Sequence, residues 1–574
     1  MKLAKLFILA ITFFLADQAC YAQEYFQTTT FGNTSVENPI NYATDSNGNV
    51  YTVGLYSGTI TVGSTSITWE GGNADGFLTK HDTNGVPVWV KGFGGFMDDV
   101  AVDVAIDTND NIYLTGYFVG QGPNSFDADP GPGEFLLEQL SPIASRDCFI
   151  IKLDSNGDFV WAKQVSNPAG AGANEDSRAI AVDGNGNVYV AGSYVYADFD
   201  PSPTGAVELF STGGGASPDG FLLKLDNAGN FISVNTFDGV GLIQVEAMEF
   251  DDNEDILLSG RFANMVDLDP GAGTDEHTSN GGNDIFMAKV TNNASYIWGQ
   301  AFGSAGLEIN TFIKVLTSGI YLGGLVSNGA DLDPGAGSST VTTNGDYDGF
   351  LSRFNLDGTY VNSYVVGGEG NVNIETINDV TEGASGSIFA VGSFIGTTDF
   401  DPSASEALTT SNGNSDNFLV ELTPGLTYQN HYTIGGNDEE SLPQLVFNSN
   451  NEVLTFGAFR STNIDFNPFK GEDIQSSNGF SDVYFSRYSL EETAGVEDNL
   501  WNEVYVFPNP AANTVHIAGG DTIVTSYQLY SVLGSPVKSG AATTAIDVSQ
   551  LPRGTYLLKL NGKTGTVTKK ITKL

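Results

Sequence analysis

A short apolar phrase ending in glycine recurs seven times along the middle of this chain, and it limits the possible folds more than any other feature. Successive copies begin about 60 to 75 residues apart. A unit of this length cannot bury its apolar face alone, so the repeats must pack against one another. The seven copies are Asn49–Gly54, Asn111–Gly116, Asn187–Gly192, Asp255–Gly260, Gly319–Gly324, Ser387–Gly392 and Glu452–Gly457.

Each copy is followed by a second apolar segment that starts with Asp. A Gly-containing turn and a further segment come next, and another apolar segment precedes the phrase, most clearly at Ser177–Asp183. The Asp-initiated segments are Asp75–Asp82, Asp147–Asp154, Asp219–Asp226, Asp284–Val290, Asp348–Phe354, Asp416–Leu422 and Asp482–Tyr488. Four short strands per repeat, in a chain with 70 glycines and 11% aromatic residues, predict an all-β fold, a seven-bladed β-propeller over residues 23–490.

The two ends of this region complement each other. The seventh repeat stops after its third strand, because Tyr488 is followed by a polar, acidic stretch. The segment Tyr25–Asn33 aligns residue for residue with the fourth strand Tyr296–Ser304, and its Phe31-Gly32 falls on Phe302-Gly303. We therefore expect the N-terminal strand to complete the last blade and to leave no open sheet edge.

The first 22 residues have the pattern of a secretory signal peptide. A basic start is followed by an apolar stretch from Leu6 to Ala16 and a small-residue cleavage site between Ala22 and Gln23. That stretch is shorter than the roughly 20 apolar residues of a membrane-spanning helix, and we expect no transmembrane segment elsewhere. The mature chain then keeps one cysteine, Cys148, and no internal disulfide.

The C-terminal region has the opposite charge to the rest of the chain. From residue 500 onward it carries seven basic and three acidic side chains, whereas the whole chain has a formal charge of −46. This asymmetry predicts a separate module over residues 503–574, joined by a linker at residues 491–502. Its short strands, separated by Pro- and Gly-containing turns, predict a small antiparallel β-sandwich.

Four segments of this module resemble the type A C-terminal sorting domain of type IX secretion cargo from Bacteroidetes. They are Val506–Ala511 (VFPNPA), Leu529–Gly540 (LYSVLGSPVKSG), Asp547–Leu560 (DVSQLPRGTYLLKL) and the closing Val567–Leu574 (VTKKITKL). Ser531 stands where that family often has Asp. The resemblance places the sorting signal at Pro508, Asn509, Pro510, Gly534, Leu551, Pro552, Gly554, Tyr556, Lys569 and Lys570.

The resemblance implies a partner and a location. The partner is the type IX secretion machinery, and the protein is expected to be secreted, extracellular or attached to the outer-membrane surface. The central repeats also resemble the SBBP family of bacterial propeller repeats, through the D-x-F-x-x-K-x-D-x-x-G and G-N-V-Y-x-x-G phrases. That family is known by its fold, so this second resemblance implies no reaction.

An acidic pair before proline follows the second strand in five of the seven repeats. The ten residues are Asp127, Asp129, Asp198, Asp200, Asp267, Asp269, Asp331, Asp333, Asp399 and Asp401. In an extended Asp-x-Asp both carboxylates point to the same side, so each pair is a candidate Ca²⁺ site together with loop carbonyl groups. Alternatively, each Asp caps its own turn by accepting backbone N–H groups ahead of the proline.

No catalytic motif is recognisable in the sequence. The four mature histidines lie in different segments, and there is neither a G-x-S-x-G nor a G-x-G-x-x-G sequence. We therefore predict a secreted or surface β-propeller that binds an extracellular protein or glycan, with calcium as a possible support. The alternatives are a glycan-active hydrolase or lyase on the same scaffold, and a structural surface-layer component. The strong negative charge disfavours a nucleic acid as partner.

Overall fold

The structure is a computed structural model that describes most, but not all, residues of the chain. It describes residues 23–120, 125–139, 145–167, 174–202, 204–213, 217–343, 345–368, 374–403, 405–469, 471–490, 505–518, 524–532, 535–541, 544–562 and 566–574. The predicted signal peptide with Ala22, the predicted linker 491–502 and Gly534 of the sorting signal fall outside these ranges. The chain divides into two compact units at residue 491, and each unit is described by itself.

The described residues of the larger unit contain β-strands and turns but no α-helix. Its first strand is β1 (Glu24–Phe31). The strands that follow are β2 (Glu37–Thr44), β3 (Val50–Tyr56), β4 (Thr59–Val62), β5 (Thr65–Thr68), β6 (Asp75–His81), β7 (Pro87–Phe93), β8 (Val100–Ile106), β9 (Ile112–Phe118), β10 (Phe126–Asp127), β11 (Leu136–Leu137), β12 (Asp147–Leu153) and β13 (Phe159–Val165). Next come β14 (Asp176–Val182), β15 (Val188–Tyr194), β16 (Tyr196–Asp198), β17 (Glu208–Phe210), β18 (Asp219–Leu225), β19 (Phe231–Phe237), β20 (Gly239–Val240), β21 (Ile243–Phe250), β22 (Ile256–Asp267), β23 (Glu276–Val290) and β24 (Tyr296–Phe302). The last strands of this unit are β25 (Ile309–Leu316), β26 (Gly319–Val326), β27 (Asp348–Phe354), β28 (Tyr360–Gly368), β29 (Thr376–Glu382), β30 (Ile388–Phe394), β31 (Thr397–Asp399), β32 (Leu408–Thr410), β33 (Asp416–Leu422), β34 (Tyr428–Ile434), β35 (Glu440–Phe447), β36 (Val453–Phe459), β37 (Thr462–Asp465), β38 (Ile474–Ser476) and β39 (Asp482–Ser489).

Across the described residues these strands form seven antiparallel sheets, numbered here in chain order, with four main strands each. Each of the first six sheets takes its four main strands from one stretch of the chain, in chain order. The orders are β2-β3-β6-β7, β8-β9-β12-β13, β14-β15-β18-β19, β21-β22-β23-β24, β25-β26-β27-β28 and β29-β30-β33-β34. The seventh sheet contains β35, β36 and β39, and its fourth strand is β1. Strand β1 runs antiparallel to β39, with Phe31 opposite Val483 and Thr28 opposite Ser486.

The glycine that ends each repeated phrase lies where the first strand of the sheet bulges. In sheet 3 the register shifts between Ser177 and Ala179. A Cβ on Gly192 would lie only 1.9 Å from the carbonyl oxygen of Asp176. The same close approach, 1.9 to 2.0 Å, recurs at five other positions: Gly54, Gly116, Gly260, Gly324 and Gly392. Only glycine fits at these six positions, which explains why these copies of the phrase end in glycine.

A short hairpin after the second strand is an addition to the four predicted strands. The pairs are β4–β5, β10–β11, β16–β17, β31–β32 and β37–β38, and in sheet 4 the long strands β22 and β23 continue into the same hairpin. These strands are only two to four residues long. They are too short for an alternating pattern to reveal them in the sequence.

Apolar side chains fill the space between neighbouring sheets. Among the described residues, seven buried clusters each join two neighbouring sheets. One of them joins the first sheet to the last, where Val50 and Phe77 cluster with Phe456 and Phe485. The ring of Phe31 from β1 packs edge-on against Phe77 in this cluster.

A backbone hydrogen bond recurs wherever one sheet meets the next. The residue that begins the first strand of a sheet, or directly precedes it, donates its N–H to the carbonyl group just before the Asp-initiated segment in the third strand of the preceding sheet. In sheet 4 this acceptor, Asn283, lies inside the longer strand β23. The seven bonds, of 2.9 to 3.4 Å, are Asp99 to Ala74, Glu175 to Arg146, Ile243 to Pro218, Glu308 to Asn283, Glu375 to Tyr347, Glu440 to Ser415 and Glu37 to Ser481. The last of these links sheet 1 to sheet 7.

The smaller unit consists of two antiparallel sheets over one core. Its described strands are β40 (Tyr505–Phe507), β41 (Thr514–Ala518), β42 (Val524–Ser531), β43 (Pro536–Ala541), β44 (Ala545–Asp547), β45 (Gly554–Gly562) and β46 (Thr566–Lys573). The strand orders are β40-β41-β44 and β43-β42-β45-β46. Val515 and Ile546 of one sheet share a buried cluster with Leu529 and Leu558 of the other. Strands β43 and β44 were not expected, because they are short and contain only one β-branched residue each, Val537 and Ile546.

Candidate ligand-binding cavity

The first strands of all seven sheets line a common cavity of about 700 Å³. Its lining is mixed, with apolar side chains such as Val104 and Ile313 beside charged and amide side chains. A cavity of this size is in the range that holds small ligands. Its charged, amide and hydroxyl-bearing residues are Asn41, Tyr42, Thr44, Asp103, Arg178, Glu246, Glu249, Arg261, Asn310, Thr311, Lys314, Asn378, Asp379 and Gln444.

A lysine on the fifth sheet holds one side of the cavity together. Lys314 Nζ lies 2.5 Å from Asp379 Oδ1 on the sixth sheet and 2.7 Å from the Tyr42 hydroxyl on the first. The Tyr42 hydroxyl in turn donates to the carbonyl oxygen of Leu445 on the seventh sheet, at 2.6 Å. Burial lowers the pKa of Lys314, but the Asp379 carboxylate and Tyr42 outweigh it and raise that pKa above its usual value. Lys314 therefore stays charged and joins three sheets.

Two arginines flank a glutamate elsewhere in the lining. Glu246 lies 3.2 Å from Arg261 Nε and 3.9 Å from an Arg178 nitrogen. Burial raises the pKa of Glu246, and the two guanidinium groups oppose that shift. The Arg261 guanidinium also donates to the Gln244 side-chain oxygen at 2.9 Å. The arrangement presents two cations and one anion to the cavity.

Two further carboxyl groups of the lining have pKa values close to neutrality. Burial raises the pKa of Asp103 to about 7, and the nearby Glu249 carboxyl adds to the shift. Asp103 accepts hydrogen bonds from the backbone N–H groups of Ile180 at 2.7 Å and Val104 at 2.8 Å, and these bonds lower its pKa in part. Burial likewise raises the pKa of Glu249 to about 7, although Lys314 lowers it. Carboxyl groups in this range can take up or release a proton at neutral pH.

The sequence did not single out these cavity residues. All of them except Arg261, which lies in the second strand β22, stand one to three to a repeat in the first strands. These strands are the least uniform part of the repeat, and the cavity side chains come together only when all seven sheets are in place. The available signal was a polar residue inside an otherwise apolar first strand, such as Asp103 between Val102 and Val104.

The predicted Asp-x-Asp pairs lie in the hairpins, away from the cavity lining, and act as turn caps. In sheet 4, Asp267 Oδ1 accepts the N–H groups of Asp269 at 3.0 Å and Asp275 at 2.7 Å. Asp269 Oδ1 accepts the N–H of Gly271 at 2.9 Å. The same bonds are made by Asp127, Asp129, Asp198, Asp200, Asp331, Asp333, Asp399 and Asp401.

These aspartates also attach each hairpin to the preceding sheet. The N–H of Asp127 donates to the carbonyl oxygen of Gly94 at 2.9 Å, and that of Asp198 donates to Ser166 at 2.9 Å. Within the described residues, no three His, Cys, Asp or Glu side chains converge as a metal site. A calcium role for the Asp-x-Asp pairs stays a prediction, whereas their capping and linking contacts account for the repeated motif.

In the smaller unit, the predicted sorting residues surround the last strand and the turn before β45. Asn509 donates its side-chain N–H to the carbonyl oxygen of Lys570 at 2.8 Å and accepts the N–H of Thr572 at 2.8 Å. The peptide bonds before Pro508 and Pro510 are cis. The Tyr556 hydroxyl donates to the Pro552 carbonyl oxygen at 2.8 Å. Leu551 packs against the core, Gly554 begins β45, and Lys569 lies opposite Leu558.

Comparison with known families identifies this unit. Residues 505–573 match the family described as "Secretion system C-terminal sorting domain". This domain marks the chain as secreted cargo. The protein is exported by the type IX secretion system and is extracellular or attached to the cell surface. No helix among the described residues is long and apolar enough to cross a membrane.

Residues 160–193 match the family described as "Beta-propeller repeat". The match runs from β13 to β15, from the end of one sheet into the next. A curated relative, an uncharacterised WD repeat-containing protein of Acanthamoeba polyphaga mimivirus, is 22% identical over 329 residues, which is 49% of this chain and 23% of that protein. The chain thus spans about a quarter of the length of this relative.

Two solved structures are more distantly similar. A protein of unknown function from Dyadobacter fermentans aligns over 68% of this chain and 95% of its own, with 12% identity and a TM-score of 0.30. A glycoside hydrolase family 43 arabinoxylan arabinofuranohydrolase from Bacillus subtilis aligns over 94% of this chain and 92% of its own, with 10% identity and a TM-score of 0.26.

Proposed function

We propose that this exported protein is a seven-bladed β-propeller, closed by its first strand, that binds an extracellular glycan in the cavity at the meeting point of its seven first strands. Each sheet is then one blade, and the cavity lies on the propeller axis. The single observation that carries the proposal is that one polar cavity takes its lining from every sheet. The Asp-x-Asp hairpins then hold neighbouring blades together.

Three contacts support the closed ring. Strand β1 pairs with β39 of the last sheet, a buried apolar cluster joins the last sheet to the first, and the Glu37 N–H bonds to the Ser481 carbonyl oxygen as at the other junctions. A closed ring also leaves no unpaired sheet edge, which protects a secreted protein against edge-to-edge aggregation.

The lining favours a ligand rich in hydroxyl groups. The lining includes the guanidinium groups of Arg178 and Arg261 and the side-chain amides of Asn378 and Gln444. Guanidinium groups donate to hydroxyl or carboxylate oxygens, and amide groups both donate and accept hydrogen bonds. A cavity of about 700 Å³ admits a short saccharide but not a folded protein.

The test is a binding screen of the full chain against neutral and acidic oligosaccharides, followed by calorimetry on any hit. We expect one saccharide class to bind, and Glu246→Gln to weaken binding at least tenfold because the two arginines lose their fixed partner. Glu208→Gln, in the exposed hairpin strand β17, is the matched control and should bind normally. Equal affinity of both variants, or no saccharide binding, would contradict the proposal.

A specific observation also favours the second candidate, a glycan-active hydrolase or lyase. Asp103 and Glu249 line the same cavity and both have pKa values raised to about 7, as general acids and bases require. In that case the chain releases new reducing ends from a glycan. Asp103→Asn and Glu249→Gln should each abolish the release while leaving binding intact. Binding without any release assigns the chain to recognition alone.

A further inference from the structure

Carboxyl groups are buried in pairs where the sheets meet, outside the cavity and outside the Asp-x-Asp hairpins. Within the described residues, six of the seven junctions have such a pair, and every member is at most 2% exposed. One member is the first Asp of the Asp-initiated segment in the third strand of a sheet, and the other begins or precedes the first strand of the next sheet. The pairs are Asp75–Asp99, Asp147–Glu175, Asp284–Glu308, Asp348–Glu375, Asp416–Glu440 and Asp482–Glu37.

The backbone bond that recurs at the junctions places each pair. The second acid donates its N–H to the carbonyl group of the residue just before the Asp, for example Glu308 to Asn283 at 2.9 Å. The two acids are therefore neighbours across the junction in every case. At the junction of sheets 3 and 4 the second position is Ile243, so this junction has no pair of the same kind.

At two of the six junctions the two carboxyl groups of the pair lie on either side of a glycine. A Cβ built on Gly303 would be 2.8 Å from Asp284 Oδ1 and 2.7 Å from Glu308 Oε2. On Gly32 it would be 2.4 Å from Asp482 Oδ1 and 2.8 Å from Glu37 Oε2. The oxygens of both acids thus face one small space next to the glycine.

The acids differ in how far their oxygens are hydrogen-bonded. Both oxygens of Glu308 and of Asp99 accept hydrogen bonds, whereas Asp284 has one oxygen without a partner. Asp284 Oδ2 accepts the Asn280 N–H at 3.0 Å, and Glu308 Oε2 accepts the Ser304 N–H at 2.9 Å. The unpartnered buried oxygens at the paired junctions include Asp75 Oδ1, Asp284 Oδ1, Asp416 Oδ1, Asp482 Oδ1, both of Glu175, Glu375 Oε2 and Glu440 Oε1. Buried carboxylate oxygens without a partner are costly, and they are rare in native proteins.

At two of these junctions the described residues supply no positive charge. Asp284, Glu308, Asp482 and Glu37 make no ion pair with Lys or Arg in the part of the chain that the structure describes. Burial, with the Asp482 carboxyl adding to it, raises the pKa of Glu37 to about 8. Two carboxylates this close and this buried require a cation or a shared proton.

We propose that each of the six acid pairs binds one Ca²⁺ ion, which ties one sheet to the next. Ca²⁺ suits these sites because the side-chain ligands that each pair offers are carboxylate oxygens, which Ca²⁺ prefers. Zn²⁺ prefers nitrogen and sulfur ligands, and Mg²⁺ keeps several bound waters, for which a buried site has little room. Two carboxylates balance the charge of one divalent ion. These sites are distinct from the Asp-x-Asp hairpins and do not depend on what the cavity binds.

Direct calcium counting tests this proposal. The full chain is stripped with a chelator and dialysed to equilibrium against radioactive Ca²⁺ at neutral pH, with excess Mg²⁺ as competitor. We expect about six ions per chain, from the six pairs, with affinities of about 10⁻⁴ M or tighter. The variant Asp284→Asn/Glu308→Gln should bind about one ion fewer. The control variant Asp267→Asn/Asp269→Asn, in the hairpin of the same sheet, should keep the full number.

Two results would overturn the proposal. One is that the wild-type chain binds no calcium at millimolar concentration, which would leave a shared proton as the neutralising species. The other is that the hairpin variant loses ions while the junction variant does not, which would move the sites to the Asp-x-Asp loops. If Asp284→Asn/Glu308→Gln does not fold, Asp416→Asn/Glu440→Gln tests another junction, and the wild-type count needs no variant.

Discussion

Glu37 donates its backbone N–H to the carbonyl oxygen of Ser481 at 3.1 Å, although 444 positions separate the two residues. The bond joins the start of the first sheet to the third strand of the last. Six other junctions have the same bond between sheets that are consecutive in the chain. The joint between the two ends of the repeat region is therefore built in the same way as every internal joint.

Removing the first strand should destabilise the larger unit. Deletion of residues 24–31 exposes the edge of β39 and removes Phe31 from the cluster between the first and last sheets. We expect a lower melting temperature and concentration-dependent association through the open edge. Calorimetry and size-exclusion chromatography measure the two effects. Deletion of residues 505–574 is the control and should leave the melting of the larger unit unchanged.

The glycine that ends the repeated phrase should not tolerate a methyl group. Gly192→Ala would place a Cβ 1.9 Å from the Asp176 carbonyl oxygen, so the first strand of that sheet must shift. We expect a loss of about 2 kcal/mol or more in the free energy of unfolding. Gly425→Ala is the control, because its Cβ would meet nothing closer than 3.6 Å. Equal stability of the two variants in urea titrations would show that the bulge adapts freely.

Stability should fall as the pH rises because of Asp103. Burial raises its folded pKa from 3.8 to about 7. Below about pH 4 the carboxyl is protonated in both states; between pH 4 and 7 the unfolded chain releases the proton while the folded protein retains it. The Asp103→Asn variant lacks this pH-dependent contribution to stability. The melting temperature of the variant relative to wild type should therefore rise from pH 4 to pH 8. Asp158→Asn, at a position 76% exposed, should show no such trend.

Lys314 should contribute to stability beyond its own packing, because it neutralises Asp379 and orients Tyr42. Lys314→Met leaves the Asp379 carboxylate without its cation, and we expect a loss on the order of 2 kcal/mol. Lys91→Met is the matched control. Its ion pair with Asp158 is 3.8 Å long and exposed on one side, so removing it should change stability by less than about 0.5 kcal/mol. Chemical denaturation gives the free energy of unfolding of both variants. Similar losses of this free energy in the two variants would contradict the role given to Lys314.

The sequence revealed the repeats because strands and turns are local, and their spacing is visible in single segments. It also indicated the partner of the first strand, since Phe31-Gly32 matches Phe302-Gly303. The cavity was not predictable in this way, because Asp103, Glu246 and Lys314 come from different repeats and no local pattern links them.

The junction acid pairs could be predicted from the sequence only in part. The Asp of each Asp-initiated segment is visible in the repeat, but its partner follows the fourth strand at varying distances. Glu37 comes five residues after Gly32, whereas Glu175 comes nine after Ser166. The loops that connect the sheets differ in length, and only the three-dimensional structure brings each pair together.

Cross-linking β1 to the last sheet tests the closed seven-bladed ring most directly. The Thr28 and Ser486 hydroxyl oxygens are 2.7 Å apart, so Thr28→Cys/Ser486→Cys places two sulfur atoms within bonding distance. We predict that the full chain forms an intramolecular disulfide, identified by mass spectrometry of the non-reduced peptides. Thr29→Cys/Ser486→Cys should not, because neighbouring side chains on a strand face opposite sides. Free thiols in the Thr28→Cys/Ser486→Cys variant, or disulfides only between chains, would contradict closure of the ring by its first strand.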